Sequence, residues 1–169
     1  MPINGSAEQP AHIAPVLLLG LGNPLMSDDG AGQEILARLE SDAAGWGSRV
    51  ELVDGGTQGL ALLGQFEGRK AVIFLDAVRL GDETGAVHVL DGAELMRLGG
   101  RASTAHEGSA PQILGALQLL GEVPEQVTMI GIEPEEIKTG IGLSDSVKSN
   151  LGVAASFARV AVNQAIAAL

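Results

Sequence analysis

Residues 17–32 read LLLGLGNPLMSDDGAG, and this stretch decides the fold. Its apolar run predicts a buried strand over Val16–Gly20, and the glycine-rich turn leads into a helix predicted over Gly30–Ala44. A strand, a glycine turn and a helix in this order are typical of α/β sheets, where such a turn usually binds an anion at the helix N-terminus. Here the turn carries two aspartates, which repel anions and attract cations. The sequence therefore indicates cation or metal chemistry at this turn.

The rest of the chain continues the alternation of strands and helices. Ala86–Leu90 alternates around His88 and is expected at an edge of the sheet, with His88 pointing off it. The order β-α-β-α-β-β-α-β-α predicts an α/β fold, a three-layer α/β/α domain with a twisted, mainly parallel five-stranded sheet flanked by helices. The further predicted strands are Arg49–Val53, Lys70–Val78 and Gln126–Ile132, and the further helices are Gln58–Phe66, Gln112–Leu120 and one from a Ser144 cap to about Ala168.

Composition narrows the classes of protein that fit. The 169 residues suit one domain, and we expect a flexible tail over 1–14 and a single domain over 15–169. A net charge of −11 disfavours nucleic acid and anionic membranes as partners. The chain has no cysteine, which excludes disulfides and thiolate sites and fits a cytoplasmic protein. No apolar run approaches the roughly 20 residues that span a bilayer.

Carboxylates follow most of the predicted parallel strands at their carboxyl ends. Asp28 and Asp29 come after the first strand, Asp54 after the second, Asp76 at the end of the third and Glu133 after the fifth. Ligands of open α/β sheets bind beyond this edge, so these acids are expected to gather at one site. Asp28 or the serine before it could instead cap the following helix, and Asp76 could serve a turn, so structural and functional roles stay open.

His106 is the imidazole that could join these carboxylates. It lies in a polar loop ahead of the helix Gln112–Leu120. Together with Asp29 and Asp76 it would form a mixed oxygen and nitrogen set suited to nickel, zinc, manganese or iron, with positions left open for a substrate or water. A loop histidine on its own is more often simply solvated.

The segment Asp54-Gly55-Gly56-Thr57 closes the second strand next to this edge. Its glycines predict a turn, and Thr57 could cap the helix Gln58–Phe66. The same residues could form a flexible wall of the cleft that contacts a substrate chain, and both interpretations stay open.

Taken together, the motifs resemble the hydrogenase maturation endopeptidases, which process the large subunit of [NiFe]-hydrogenases. They fall in that family's order and cover about residues 16–150, which makes the set specific although one block alone would be weak. The matching blocks are Gly20–Leu25 with Asp28–Gly32, Val53–Gly59, Leu75–Ala77, His106, Gly121–Pro124, and Gly131–Pro134 through Gly140–Ser144.

The resemblance implies a phosphorylase/hydrolase-like α/β fold and removal of a C-terminal extension from the large-subunit precursor after nickel insertion. It places the metal-contacting and catalytic positions on Asp29, Asp76 and His106, the first of which is often glutamate in that family. Asn23 and Asp28 would support them, and 54–57 would contact the substrate. The nickel arrives on the precursor, which is the expected partner, so no tightly held cofactor is expected and an unloaded precursor would not be cut. Processing would take place in the cytoplasm, without nucleic acid or membrane.

The route of hydrolysis is open between two versions. In one, a metal polarises the scissile carbonyl and activates water. In the other, Asp29 or Asp76 is a general base on water and the metal only positions the substrate. A covalent route is disfavoured, because the chain has no cysteine and no serine in a nucleophile elbow.

Three other classes of protein share part of the pattern. Gly20–Pro24 also resembles the opening of bacterial peptidyl-tRNA hydrolase, but that family continues with a tyrosine and a Thr-Arg-His-Asn segment, and this chain has no tyrosine. A Rossmann nucleotide site needs a third glycine where Leu25 stands. A non-catalytic, metal-sensing assembly chaperone on the same fold is the most serious alternative, and turnover of a precursor separates it from a protease.

Overall fold

A computed structural model describes residues 11–100 and 108–169 of the chain. The predicted tail over 1–14 therefore falls largely on residues outside the description, as does His106. The division into a tail and one domain over 15–169 stays a prediction.

Five strands form one sheet in the order β2-β1-β3-β5-β4. β1, β2, β3 and β5 run parallel, and β4 pairs antiparallel with β5 at the edge. This confirms the predicted mainly parallel five-stranded sheet and its edge strand. The strands are β1 (Val16–Leu21), β2 (Val50–Gly56), β3 (Ala71–Ala77), β4 (Val87–Asp91) and β5 (Gln126–Ile132).

The helices differ from the predicted ones in three places. The single helix predicted over Gly30–Ala44 is interrupted after Leu39 by a 3-10 turn, and the helix predicted over Gln58–Phe66 is a 3-10 segment. The helix that follows β4 was not predicted. The helices are α1 (Ala31–Leu39), α2 (Ala43–Trp46), α3 (Gly92–Gly99), α4 (Ala110–Leu120) and α5 (Asp145–Ala167), and the 3-10 segments are Ser27–Gly30, Glu40–Asp42, Gly47–Arg49 and Gly59–Phe66. Within the described residues no helix is both long and apolar enough to cross a membrane.

The helix α3 begins with a capping box. The Asp91 carboxylate accepts a hydrogen bond from the Glu94 main-chain N–H, and the Glu94 carboxylate accepts one from the Asp91 N–H. The spacing Asp-x-x-Glu ahead of apolar residues is a known helix-start pattern. The sequence therefore held a usable signal for this helix.

Two apolar layers cover the two faces of the sheet. α1 and α5 pack against one face, and α3, α4 and the 3-10 segment Gly59–Phe66 pack against the other. Because side chains alternate along a strand, Asp76 shares the second face with Val72 and Phe74. Every residue of β1 and β3 is buried, so these two central strands hold the carboxyl edge rigidly.

Candidate functional site

The turn between β1 and α1 is packed tightly against the carboxyl ends of β1 and β3. A Cβ on Gly32 would lie 2.2 Å from the Leu21 carbonyl oxygen and 2.4 Å from the Leu75 carbonyl oxygen. Gly22 has φ +126°, and a Cβ there would lie 1.9 Å from the Asp29 carbonyl oxygen. Glycine at these positions lets α1 start directly against the strands. The turn therefore carries Asp29 to the end of β3, which holds Asp76.

Asp76 is a buried carboxyl at the end of β3, with 2% of its surface exposed. Burial raises its pKa well above the ordinary aspartate value, and the charge of Asp29 raises it further, against a lowering by a hydrogen bond from the Ala77 main chain. Its Oδ1 has no hydrogen-bond partner among the described residues. The ionised form of this carboxylate is therefore poorly stabilised, and a proton or a cation would stabilise it.

Asp29 is half-buried and is held by the turn itself. Its Oδ2 accepts a hydrogen bond from the Asn23 main-chain N–H at 2.9 Å. The Asn23 side chain does not reach Asp29 but accepts from the Leu25 N–H at 3.0 Å. Asn23 thus positions Asp29 through its backbone and shapes the turn through its side chain.

Asp28 is fully buried and ties the turn to a distant loop. Its carboxylate accepts hydrogen bonds from the main-chain N–H groups of Glu135, Glu136 and Ser144, and from the Ser144 hydroxyl. Burial would raise the pKa of Asp28, but these hydrogen bonds outweigh it and lower the pKa below the ordinary value. The predicted helix cap is wrong for Asp28 and Ser27, since no side chain caps this start. The Ser144 hydroxyl likewise donates to Asp28 and accepts no cap bond at the start of α5.

The segment 54–57 lies beside this turn. The Asp54 carboxylate accepts from the Gly56 N–H at 3.0 Å, and the Gly56 carbonyl oxygen accepts from the Gly22 N–H at 3.0 Å. Gly56 has φ +50°, as the predicted turn requires. The predicted cap by Thr57 is wrong, because Gln58 occupies that position without a side-chain hydrogen bond. The segment is thus fastened to the β1 turn, with Asp54 and Thr57 exposed.

Gln33 is a residue that sequence reasoning missed. Its Nε2 donates to the Gly22 carbonyl oxygen at 2.6 Å and lies 3.4 Å from an Asp54 carboxylate oxygen, while its Oε1 is buried without a partner among the described residues. It therefore joins the two loops that flank the site. The available signal was its spacing of four residues from Asp29, which places both on one side of a helix.

Glu133 and His88 form a separate cluster next to β4. The buried Glu133 carboxylate accepts from the main-chain N–H groups of Leu80 and Gly81 at 2.8 and 3.2 Å. His88 does not point off the edge strand as expected; it is half-buried, with Nε2 3.8 Å from both Glu133 and Asp82. Glu133 therefore holds the loop after β3.

Of the predicted acids, the structure brings Asp29 and Asp76 close enough for one charge to act on the other. Asp28 instead faces the 135–144 loop, and Asp54 bonds within its own turn. Over 11–100 and 108–169, no three histidine or acidic side chains are grouped so as to hold a metal ion. The third predicted ligand, His106, lies outside the described residues. The chain resumes at Gly108, which lies against Gly59 just after the 54–57 segment.

Comparison with known proteins assigns the family. The model of the hydrogenase maturation protease family matches residues 34–159. The hydrogenase 2 maturation protease of Escherichia coli (strain K12) is 33% identical over 135 residues, 79% of this chain and 82% of that protein. The hydrogenase expression/formation protein HoxM of Cupriavidus necator is 32% identical over 124 residues, 73% of this chain and 61% of that protein's length. The structure of the hydrogenase maturating endopeptidase HybD from E. coli matches with a TM-score of 0.77 at 30% identity, covering 88% of this chain and 92% of that one.

The chain belongs to the hydrogenase maturation protease family. This membership and the α/β fold agree with the resemblance drawn from the motifs. The protein is therefore a hydrolase of the class that acts in hydrogenase maturation.

Proposed function

We propose that this protein is an endopeptidase that removes the C-terminal extension of a [NiFe]-hydrogenase large-subunit precursor after nickel has been inserted. In this proposal Asp29, Asp76 and His106 contact the nickel that the substrate carries. The observation that carries the proposal is the pair of acids at the carboxyl edge, with Asp76 buried, its pKa raised and its Oδ1 unpartnered among the described residues. Family membership supports the class of reaction.

The pair of acids supports a role in detecting a cation. The charge of Asp29 disfavours the ionisation of Asp76, and a divalent cation removes that penalty because it attracts both carboxylates. A precursor without nickel would leave the Asp76 charge uncompensated, so its productive binding would be weaker. Oxygen ligands from Asp29 and Asp76 with an imidazole from His106 form a set that accepts nickel.

We favour metal-assisted hydrolysis for the cleavage step. In this route the nickel of the substrate would polarise the scissile carbonyl and activate a water molecule to attack it. Asp29 and the buried Asp76, whose Oδ1 has no partner among the described residues, would hold that nickel in place. The segment 54–57 is fastened to the β1 turn through Gly22 and Gln33, and its exposed residues Asp54 and Thr57 would contact the extended chain of the precursor.

The non-catalytic chaperone makes a different prediction for the same residues. It would bind the loaded precursor through the acid pair without shortening it. The low exposure of Asp76 fits both functions, so product formation decides between them. The cytoplasmic location stays a prediction.

Intact-mass spectrometry of the precursor tests the proposal. The purified protein is incubated with nickel-loaded precursor, and a C-terminal fragment should be lost with the wild type. Asp76→Asn and Asp29→Asn should each lower the rate by about a hundredfold or more, typical of the loss of a general base or a charge-stabilising group. Glu67→Gln is the matched control, an exposed acid ahead of β3 at the opposite end of the sheet. Binding without shortening would favour the chaperone and refute the protease.

A further inference from the structure

A groove lies between the starts of α1 and α5, on the side of the sheet opposite to Asp76. Its volume is about 330 Å³. Apolar groups line it together with three charged side chains. The residues that matter for its chemistry are Pro24, Glu34, Arg38, Ile141, Leu143 and Lys148.

The rim of the groove is held by the same turn that carries Asp29. The Ser27 N–H donates to the Gly140 carbonyl oxygen at 2.8 Å, and the Gly140 N–H donates to the Leu25 carbonyl oxygen at 2.9 Å. These two paired loops expose large apolar side chains, with Leu25 61% and Ile141 88% exposed. Because hydrogen bonds to Asp28 fix both loops, this apolar rim is pre-organised.

The charges at the groove are unlike those of the chain as a whole. Arg38 and Lys148 are exposed and have no ion pair with a carboxylate of the described residues, although the chain carries a net charge of −11. Among the residues that the structure describes, Glu34 is the one acid that lines the groove. A ligand that complements this surface combines an apolar side chain for the rim with a carboxylate for the two cations.

We infer that this groove docks a segment of the protein substrate in which an apolar side chain stands next to an acidic one. The inference rests on the proposed function, since it takes the hydrogenase precursor as the partner. A precursor segment docked here would bind on one side of the β1–α1 turn, while Asp29 on the same turn would contact the cleavage region of the precursor. Binding energy from a remote segment would then place the scissile bond.

Two groove variants with two matched controls test the inference. Ile141→Asp and Lys148→Glu change exposed side chains, and a glutamate in the first turns of α5 is compatible with the helix dipole, so both should fold. The controls introduce the same acids at other exposed positions: Leu119→Asp, on α4 and 91% exposed, and Lys70→Glu, before β3, where Lys70 pairs with Glu125. Binding is measured by biolayer interferometry with nickel-free precursor, which is not cut, and KM and kcat are measured with loaded precursor.

Each groove variant should weaken the Kd about tenfold and raise KM to a similar extent with kcat within about twofold, while the controls stay near the wild type. The effect of Lys148→Glu should shrink in about 1 M salt, where charges are screened within roughly 3 Å. Unchanged Kd and KM in both groove variants, or equal losses in the controls, would overturn the docking site. If the Kd pattern holds but no precursor is shortened, the docking site stands and the proposed protease fails. If the precursor is cut equally well by all four variants, the protease stands and the docking site fails.

Discussion

Asp28 and Asp29 are adjacent in sequence but differ in role, so replacing each in turn should separate effects on stability from effects on activity. The Asp28 carboxylate is fully buried and accepts four hydrogen bonds at 2.7 to 3.1 Å from Glu135, Glu136 and Ser144. The half-buried Asp29 carboxylate accepts one, from the Asn23 main chain. Asp28→Asn should therefore destabilise the fold, and Asp29→Asn should chiefly impair activity.

The magnitude follows from the geometry of the four bonds. Three of them reach one oxygen, Oδ2, and the fourth, from the Ser144 N–H, reaches Oδ1. An asparagine can keep the first three and must turn its own N–H groups towards the Ser144 N–H. One lost charge-assisted bond plus the weakening of three others should cost about 2–3 kcal/mol. Asp28→Ala leaves all donors unpaired and should cost about 3–5 kcal/mol. Asp29→Asn should change the free energy of unfolding by less than about 1 kcal/mol.

The contribution of Asp28 should also depend on pH. Because the pKa of Asp28 in the folded protein is lowered below the ordinary aspartate value, its stabilisation is present above that ordinary value. It is lost as the pH falls through the lower folded pKa. The difference in stability between the wild type and Asp28→Asn should thus be constant from pH 5 to 7 and should shrink below about pH 4.

Urea unfolding followed by circular dichroism measures these differences. The midpoints and slopes of wild type, Asp28→Asn, Asp28→Ala and Asp29→Asn are compared at pH 7, and the first two again at acidic pH. An Asp28→Asn variant within about 0.5 kcal/mol of the wild type would refute the structural role of this carboxylate. So would an Asp29→Asn variant that is destabilised as strongly as Asp28→Asn.

Three further outcomes are expected from other features of the site. Gly32→Ala should lower the free energy of unfolding by about 2–3 kcal/mol, since its Cβ would meet two strand carbonyls. Gly152→Ala, which has open space around it, should raise the free energy of unfolding by about 0.5–1 kcal/mol. Equal effects of the two variants in urea unfolding would contradict the packing around Gly32. In metal-free protein, Asp76→Asn should be more stable than the wild type at pH 8 and should lose that advantage towards pH 4. The reason is that the raised pKa of Asp76 makes the wild type lose stability as the pH rises. A difference between the two unfolding free energies that does not change with pH would contradict the burial of an ionised group. Gln33→Leu should lower kcat/KM about tenfold with little change in stability, because it removes the side-chain link between the β1 turn and the 54–57 segment and leaves only the Gly22–Gly56 backbone hydrogen bond between them. Unimpaired cleavage would exclude a role of Gln33 in the site.

The strands and their order along the chain were predictable because the signal is local. β1 and β3 are buried on both faces and therefore appear as unbroken apolar runs. Because parallel strands end at the same edge of a sheet, the sequence was sufficient to predict that Asp29 and Asp76 lie at one edge. α3 was predictable in principle from its Asp91–Glu94 capping box, but no element was predicted over Gly92–Gly99.

The errors at the site come from contacts that are remote in sequence. A helix cap was one of the roles that its neighbours offered for Asp28, yet its hydrogen-bond partners are 107 to 116 residues away. His88 was assigned to a free edge, yet Glu133 and Asp82 approach it from other loops. Local patterns carry no information on which loop folds over which, so these roles could not be read from spacing alone.

The central claim is that the acid pair responds to nickel on the substrate. The most direct measurement is the ratio of initial cleavage rates with nickel-loaded and nickel-free precursor, followed by intact-mass spectrometry in chelator-treated buffer. For the wild type we predict a ratio of about a hundred or more, because only the loaded precursor compensates the Asp76 charge. A ratio near one, with both precursors shortened at the same rate, would contradict the claim.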